Sequence, residues 1–237
     1  TSENQYGFKR NSSTSHAFHC LKGVVDYYVN NGSRVYCAFL DASKAFDKLN
    51  HWHLFHKLIE RGIPLIIVRI LLYLYFKVNQ RYTVRWAGCC FSRYFYVSNG
   101  APQGRILSPS FFNMYMDGLS HCLNNNFSGC SINGVNMNHL FYADDAVLLS
   151  PTPTGLQNLL NICSTYADSY ELKYNATKTW CMVIKPRCYK NIRVPDFYLS
   201  DSKLNSTNVT KYLGCMISDD CFDDGDIARS IRSLYAR

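Results

Sequence analysis

Two kinds of hydrophobic pattern alternate along the chain. Apolar residues recur at a helical period over residues 12–30 and stop at Asn31 and Gly32, which predicts an amphipathic helix with a typical end. The next run, RVYCAFL at residues 34–40, is continuous, β-branched and aromatic, and it predicts a buried strand with Asp41 at its end.

The same patterns predict the remaining elements. Predicted helices cover residues 51–61, 64–76, 111–119 and 155–172, and a last one begins near Asp226. Predicted strands cover residues 80–86, 91–97, 140–143, 146–149, 179–184, 197–199 and 212–217. Ser108 and Pro109 are suited to the N-cap and first turn of their helix.

The order of these elements indicates the fold class. Strands and helices alternate irregularly, which favours an α+β fold, an antiparallel sheet with helices packed on one face, over a regular βαβ repeat. The most hydrophobic segment, residues 63–76, contains Arg69 and is shorter than the ~20 residues of a membrane span, so it is interpreted as a buried helix.

Composition and charge narrow the choice of partner. The 237 residues are 47% hydrophobic and 15% aromatic, enough for a real core in one large or two small domains. The formal net charge of +8 suggests nucleic acid or an anionic membrane surface as a partner. The net charge alone is explained equally well if the protein is simply soluble and basic, with no acidic partner.

Cysteine and histidine usage gives no metal motif. The eleven cysteines are odd in number and follow no signal peptide, so they are expected to be reduced and mostly buried. Their spacing does not match a zinc site, and His51 and His53 are expected to be surface or structural residues. Residues 218–227 have the acids of a calcium loop without its full ligand pattern and are interpreted as a solvated turn.

Two adjacent acids interrupt an apolar run in HLFYADDAVLLS, residues 139–150. LFYA and AVLL predict a hairpin with Asp144 and Asp145 at its tip, and Asp41 ends a strand in the same way. Three converging carboxylates are the ligands that Mg²⁺ prefers, and two metals are the usual apparatus for phosphoryl transfer. The alternative is that Asp-Asp is a common turn dipeptide and Asp41 a simple strand end.

Longer motifs give a resemblance to a known family. FLDASKAFD (residues 39–47), NGAPQGRILSP (99–109) and FYADD (141–145) resemble, in order, the three core motifs of reverse transcriptases. QYGFKRNSST (5–14) resembles the segment that precedes them in LINE-type, non-LTR retrotransposons, and LKYNATKT (172–179) and KYLGCMI (211–217) resemble the last two palm motifs.

This resemblance implies a right-hand polymerase palm with part of the fingers and most of the thumb missing. Residues 1–34 would be a fingers-side segment, 35–217 the palm with inserted helices and a hairpin, and 218–237 the start of the thumb connection. The expected activity is RNA-directed DNA polymerase, with an RNA template, a DNA primer and dNTP as partners. Further domains of a longer polyprotein and an intracellular location, nucleus or cytoplasm, would go with it; no membrane partner is expected.

The resemblance also assigns metal and substrate roles. Asp41, Asp144 and Asp145 would hold two Mg²⁺ ions, or Mn²⁺, with the backbone carbonyl of Ala42 as an extra ligand. Phe46 would be the steric gate that rejects a 2′-hydroxyl; its alternative is a plain core residue.

The remaining roles lie further along the chain. Gln103 and Gly104 would line the nucleotide and template pocket, and Arg105 departs from the small residue usual there. Lys178 would assist the leaving pyrophosphate, or would be a solvated surface lysine. Tyr212, Leu213 and Gly214 would grip the primer, although such a turn is ordinary in any sheet. The second function class is an inactive or domesticated remnant that binds nucleic acid without catalysis.

Overall fold

The computed structural model describes residues 2–42, 45–74, 81–96, 99–101, 104–186, 194–220 and 224–235. The helices are α1 (Thr14–Asn30), α2 (His51–Glu60), α3 (Leu65–Leu72), α4 (Ser108–Asn124), α5 (Pro153–Ser169) and α6 (Asp224–Tyr235). None of these combines the length and the apolar composition needed to cross a bilayer, within the part of the chain that is described.

The strands include five that form the central sheet and several short pairs. The central strands are β1 (Val35–Asp41), β8 (His139–Tyr142), β9 (Asp145–Ser150), β10 (Trp180–Ile184) and β13 (Asn205–Ser206). The short pairs are made from β2 (Arg81–Tyr82), β3 (Arg85–Trp86), β4 (Cys90–Phe91), β5 (Phe95–Tyr96), β6 (Ser131–Ile132), β7 (Val135–Asn136), β11 (Tyr198–Leu199), β12 (Ser202–Lys203), β14 (Val209–Tyr212) and β15 (Cys215–Ser218).

The central sheet has the strand order β13-β10-β1-β9-β8. β1 pairs antiparallel with both β9 and β10, and only the short β13 runs parallel to its neighbour. Residues 35–40 of β1 are all buried, because the strand lies in the middle of the sheet with both faces covered. This is why its sequence is continuously apolar instead of alternating.

Each face of the sheet packs against its own hydrophobic cluster. Tyr36, Ala38 and Leu40 point toward a cluster that contains side chains of α2, α4 and α5. Val35, Cys37 and Phe39 point the other way, toward α1 and Tyr212. The structure confirms the predicted α+β class, with most helices on one face and α1 on the other.

Local capping explains where several helices begin. The Ser13 side chain accepts a hydrogen bond from His16 N, Asn50 accepts from Trp52 N, and Thr152 accepts from Gly155 N. The predicted cap of α4 is wrong by one residue. Leu107 is the N-cap and makes no side-chain cap, because Ser108 is already the first helical residue.

Three other expectations are wrong. α3 packs against α2 and buries only Val68, while Leu65 and Ile66 on its other face are more than 60% exposed. Residues 212–217 are not one strand but the ends of the β14–β15 hairpin. The cysteines in the described ranges are free, as expected, but they are not mostly buried, since Cys89, Cys90 and Cys122 are exposed.

The hairpin predicted around Ala87 and Gly88 is present. β3 pairs with β4 next to the turn, and β2 pairs with β5 further from it. Ala87 and Gly88 have positive φ angles of 49° and 78°, which lets the chain reverse tightly. We call residues 81–96 the aromatic hairpin.

Candidate active site

The acidic motif lies on the β8–β9 hairpin, as predicted, but its register differs by one residue. Tyr142 pairs with Asp145, so the two-residue turn consists of Ala143 and Asp144, and Asp145 is the first residue of β9. Ala143 has a φ of 56° and Asp144 does not have positive φ, which is the pattern of a type II′ hairpin turn.

The neighbouring strand brings the third acid to this turn. Asp41, the last residue of β1, is the direct cross-strand partner of Asp145. Directly opposed residues on antiparallel strands project from the same face, and like charges in that position repel. The structure therefore brings together the acids that the sequence singled out.

The nearby acids affect the pKa of Asp145. Burial, followed by the negative charges of Asp144 and Asp41, raises the pKa of its carboxyl to about 6. The Asp145 carboxyl is thus harder to ionise because of its two acidic neighbours. A bound cation would relieve the repulsion.

The donor set fits a divalent ion by its chemistry. Carboxylate oxygens are the ligands that hard cations such as Mg²⁺ prefer. Within the described ranges, however, no three His, Cys, Asp or Glu side chains are arranged as a ready metal cluster. Asp41 and Asp144 are thus near enough to Asp145 to repel it, but the three carboxylates are not arranged to bind one ion together.

A segment after α5 holds the end of β1. Asn175 N donates to Asp41 O at 2.8 Å, and Ala42 forms an isolated bridge with Tyr174. The buried hydroxyl of Thr179 donates to Asn175 O at 2.9 Å and accepts from Asp41 N at 3.4 Å. These bonds fix the backbone on both sides of the Asp41 carboxylate.

The N-terminal segment holds the acidic turn from the other side. Gln5 Oε1 accepts from Ala143 N at 3.3 Å and from Gly7 N at 2.8 Å. Gly7 O accepts from Asn113 of α4 at 2.9 Å, and a Cβ on Gly7 would lie only 2.3 Å from Ala143 N. Sequence reasoning assigned no role to these residues, although the QYGF motif contains both Gln5 and Gly7.

Phe46 lies in an aromatic stack beside this segment. Its ring stacks on Phe112 of α4 at 4.3 Å and meets the edge of Phe8 at 6.1 Å. Ala101 N donates to Phe46 O at 2.7 Å, which ties the loop before α4 to the same place. Phe46 is half-buried, so it is in contact both with the core and with solvent.

Other predicted substrate residues are less constrained. Gln103 lies outside the described residues. Gly104 has a φ of 86° and open space where a Cβ would lie. The Lys178 side chain is exposed, and its backbone N–H donates to Asn175 O at 3.1 Å.

The predicted primer-grip residues lie at the tip of the β14–β15 hairpin, where Tyr212 ends β14 and Leu213 and Gly214 form the turn. Leu213 and Gly214 have positive φ angles of 48° and 92°. Tyr212 is buried against Phe39 with ring centroids 5.7 Å apart, and its hydroxyl has no hydrogen-bond partner among the described residues. Burial raises the pKa of Tyr212, and the charge of Asp145 adds to the rise, so this hairpin lies near the acids.

Comparison with solved structures identifies the fold of the chain that carries this site. Apo telomerase from Candida tropicalis superposes with a TM-score of 0.60 at 15% identity, covering 90% of this chain and 37% of that one. Telomerase from Candida albicans gives a TM-score of 0.55 at 16% identity, covering 94% and 38%. At this identity the likeness shows the fold alone, which is that of a polymerase palm.

Sequence comparison then gives the family. The family described as reverse transcriptase (RNA-dependent DNA polymerase) matches residues 1–217, and the chain belongs to this family. The Pol polyprotein of the type-2 retrotransposable element R2DM of Drosophila melanogaster is 33% identical over 185 residues, which are 76% of this chain and 17% of that protein. These matches confirm the resemblance to non-LTR elements.

A second relative is the probable RNA-directed DNA polymerase of the transposon X-element of Drosophila melanogaster. It is 26% identical over 234 residues, which are 92% of this chain and 23% of that protein. The chain therefore spans about a fifth of the length of these two curated relatives.

Proposed function

We propose that this chain is the catalytic palm of an RNA-directed DNA polymerase from a non-LTR retrotransposon. It would join the 3′-hydroxyl of a DNA primer to the α-phosphate of a dNTP on an RNA template. The observation that carries this proposal is the direct pairing of Asp41 with Asp145 next to Asp144 at a hairpin turn. Further domains of a longer polyprotein would be its partners.

The metal role falls to the three acids. Asp41, Asp144 and Asp145 would hold two divalent ions, Mg²⁺ or Mn²⁺, with the Ala42 carbonyl as an additional ligand. When bound, such ions make the attacking hydroxyl more acidic and neutralise charge on the phosphates. The bonds from Asn175 and Thr179 support this role because they orient the strand end that carries Asp41.

Phe46 is proposed as the gate against ribose. A half-buried ring held between Phe112 and Phe8 has little freedom to move aside, and a sugar with a 2′-hydroxyl would collide with it. The gate would thus discriminate by shape without a polar contact. A Phe46→Val exchange is expected to increase incorporation of rUTP relative to dTTP.

The remaining roles concern the nucleotide and the primer. Gln103 and Gly104 would line the nucleotide and template pocket, where a glycine lets the backbone approach a base pair closely. Lys178 would supply charge or a proton to the leaving pyrophosphate, and its exposure supports this role. Tyr212, Leu213 and Gly214 would grip the primer end, as the nearness of Tyr212 to Asp145 favours.

The test is dTTP incorporation on poly(rA)/oligo(dT) with Mg²⁺. The wild-type chain is compared with Asp144→Ala, and with Asp168→Ala, which removes an exposed acid of α5. We expect incorporation by the wild type and by Asp168→Ala, and loss of at least about 10²-fold in Asp144→Ala. Full activity of Asp144→Ala would contradict the assignment. A wild-type chain that binds the substrate without incorporating dTTP would favour the non-catalytic remnant.

A further inference from the structure

The aromatic hairpin exposes large rings to solvent. Trp86 is 75% exposed, Phe91 67% and Tyr94 71%. Exposed hydrophobic residues that occur singly need no explanation, but a cluster of them on one projecting element indicates a contact surface.

The charged side chains in and around the aromatic hairpin are all positive. Residues 62–116 contain no Asp or Glu, and the hairpin exposes the side chains of Arg85 and Arg93. A surface with arginines and no acids attracts polyanions and repels other basic surfaces. The aromatic rings are thus combined with a positive potential.

Arg85 and Phe91 form a pre-arranged pair. They are direct cross-strand partners, and the guanidinium lies 5.7 Å from the ring centroid of Phe91. Arg85 Nε donates to Gly88 O at 2.8 Å, and Nη2 donates to the same oxygen. A guanidinium has five N–H donors, so donors remain for a phosphate while the turn fixes the orientation of the group.

The hairpin is a two-stranded ribbon with usable residues on both faces. Arg85 and Phe91 project from one face, and Trp86, which pairs with Cys90, projects from the other. A ribbon of this width can be contacted by flexible single-stranded nucleic acid, whose bases stack on aromatic rings while its phosphates meet arginines.

The chain connects this hairpin to the candidate active site. The loop that follows it is held by Gly100 N, which donates to Leu49 O at 2.8 Å, and by Ala101 N, which donates to Phe46 O at 2.7 Å. The hairpin is therefore anchored on the side of the molecule where Phe46 lies.

We propose that the aromatic hairpin is a binding surface for the single-stranded RNA template outside the base-paired region. The inference rests on the proposed function, because it takes the template as the nucleic acid. Charge complementarity favours RNA over a protein partner. The exposed face of α3 lacks the rings of the hairpin, since its large apolar side chains, such as Leu65 and Ile66, are aliphatic and cannot stack on bases.

The test measures binding of a fluorescein-labelled oligouridylate of about 20 nucleotides by anisotropy, in EDTA so that no chemistry occurs. Trp86→Ala/Phe91→Ala is compared with the wild type and with Trp52→Ala, which removes a tryptophan that is 71% exposed on α2. We expect the double variant to bind at least about tenfold more weakly, since stacking contributes strongly for each base, and the control to bind normally.

Arg85→Gln gives a second, independent measurement. Loss of one phosphate contact is expected to reduce the slope of log Kd against log salt by about 0.7, the value for a single strand. Circular dichroism and the thermal midpoint of each variant check that the fold is retained.

The outcomes separate the two proposals. Wild-type affinity in the double variant, or no binding of the oligonucleotide by the wild type, would overturn the hairpin proposal and leave a protein partner as the occupant. Asp144→Ala is expected to bind normally in EDTA, because its loss affects incorporation and not this surface. A failure of the catalytic proposal is thus seen only in the incorporation assay.

Discussion

At the scale of single residues, the positions of the acids in the site lower the stability of the metal-free fold. Asp145 lies opposite Asp41 and beside Asp144, and burial together with their charges raises its pKa to about 6. A carboxyl whose pKa is higher in the folded state than in the unfolded state destabilises the fold once it ionises. Without metal, the contribution of Asp145 to stability falls as the pH rises from about 4 to about 6.

Replacing Asp145 by Asn therefore should stabilise the metal-free chain. We expect a higher Tm for Asp145→Asn than for the wild type at pH 7 in EDTA, and a much smaller difference at pH 4, where the carboxyl is protonated in the folded state and about half protonated in the unfolded state. The Tm of each protein at each pH is measured by thermal unfolding, with circular dichroism as the signal. A variant that is less stable than the wild type at pH 7 would show that Asp145 makes favourable contacts in the absence of metal.

Gly7 is a residue at which only hydrogen fits. Gly7→Ala would bring a methyl group within 2.3 Å of Ala143 N and displace the acidic turn. We expect a loss of about 1–3 kcal/mol in the free energy of unfolding and at least about tenfold in dTTP incorporation.

Gly23→Ala is the matched control, because nothing lies within 4 Å of the added Cβ in α1. It should gain about 0.5–1 kcal/mol from helix propensity and leave incorporation unchanged. Equal effects of the two exchanges would disprove the role of Gly7 in positioning the turn.

At the scale of secondary-structure elements, strand ends are held by segments distant in sequence. The hydroxyl of Thr179, next to β10, bonds to Asn175 O and to Asp41 N at the end of β1. Thr179→Val keeps the shape but removes the donor, and it should lower the free energy of unfolding by about 1–3 kcal/mol. Thr179→Ser should retain most of the stability and of the incorporation, which urea unfolding and the dTTP assay measure.

The contact between β8 and α4 contains a buried histidine. His139 Nε2 lies 2.6 Å from Ser120 Oγ, and burial lowers the pKa of His139 to about 3. Because the unfolded histidine binds a proton more readily, the fold should lose stability as the pH falls from about 6.5 to about 3. His139→Gln should lose less stability over the same range, and an unchanged pH profile of the variant would argue against this assignment.

At the scale of the whole molecule, metal binding should couple to stability. A ligand that binds only the folded chain stabilises it by about 1.4 kcal/mol at tenfold its Kd, which raises Tm by about 3–6 °C for a chain of this size. We expect this rise with MgCl₂ for the wild type and no rise for the Asp41→Ala/Asp144→Ala variant. A KCl control at equal ionic strength excludes a general salt effect.

The sequence by itself determined the elements whose residues follow a local rule. β1, α2, α5, β10 and the acidic hairpin were predicted within a few residues, because hydrophobic period, capping and turn residues act over short distances. The α+β class and the reverse transcriptase family were also evident from the sequence, and the comparisons confirm both.

Only the tertiary structure decided how these elements meet. The register that pairs Asp41 with Asp145, the contact of Gln5 and Gly7 with Ala143, and the bonds of Thr179 to β1 join residues more than 100 positions apart. The exposure of α3 likewise depends on what packs against it and not on its own hydrophobicity. Such contacts arise from packing of the whole chain, which no local pattern of residues specifies.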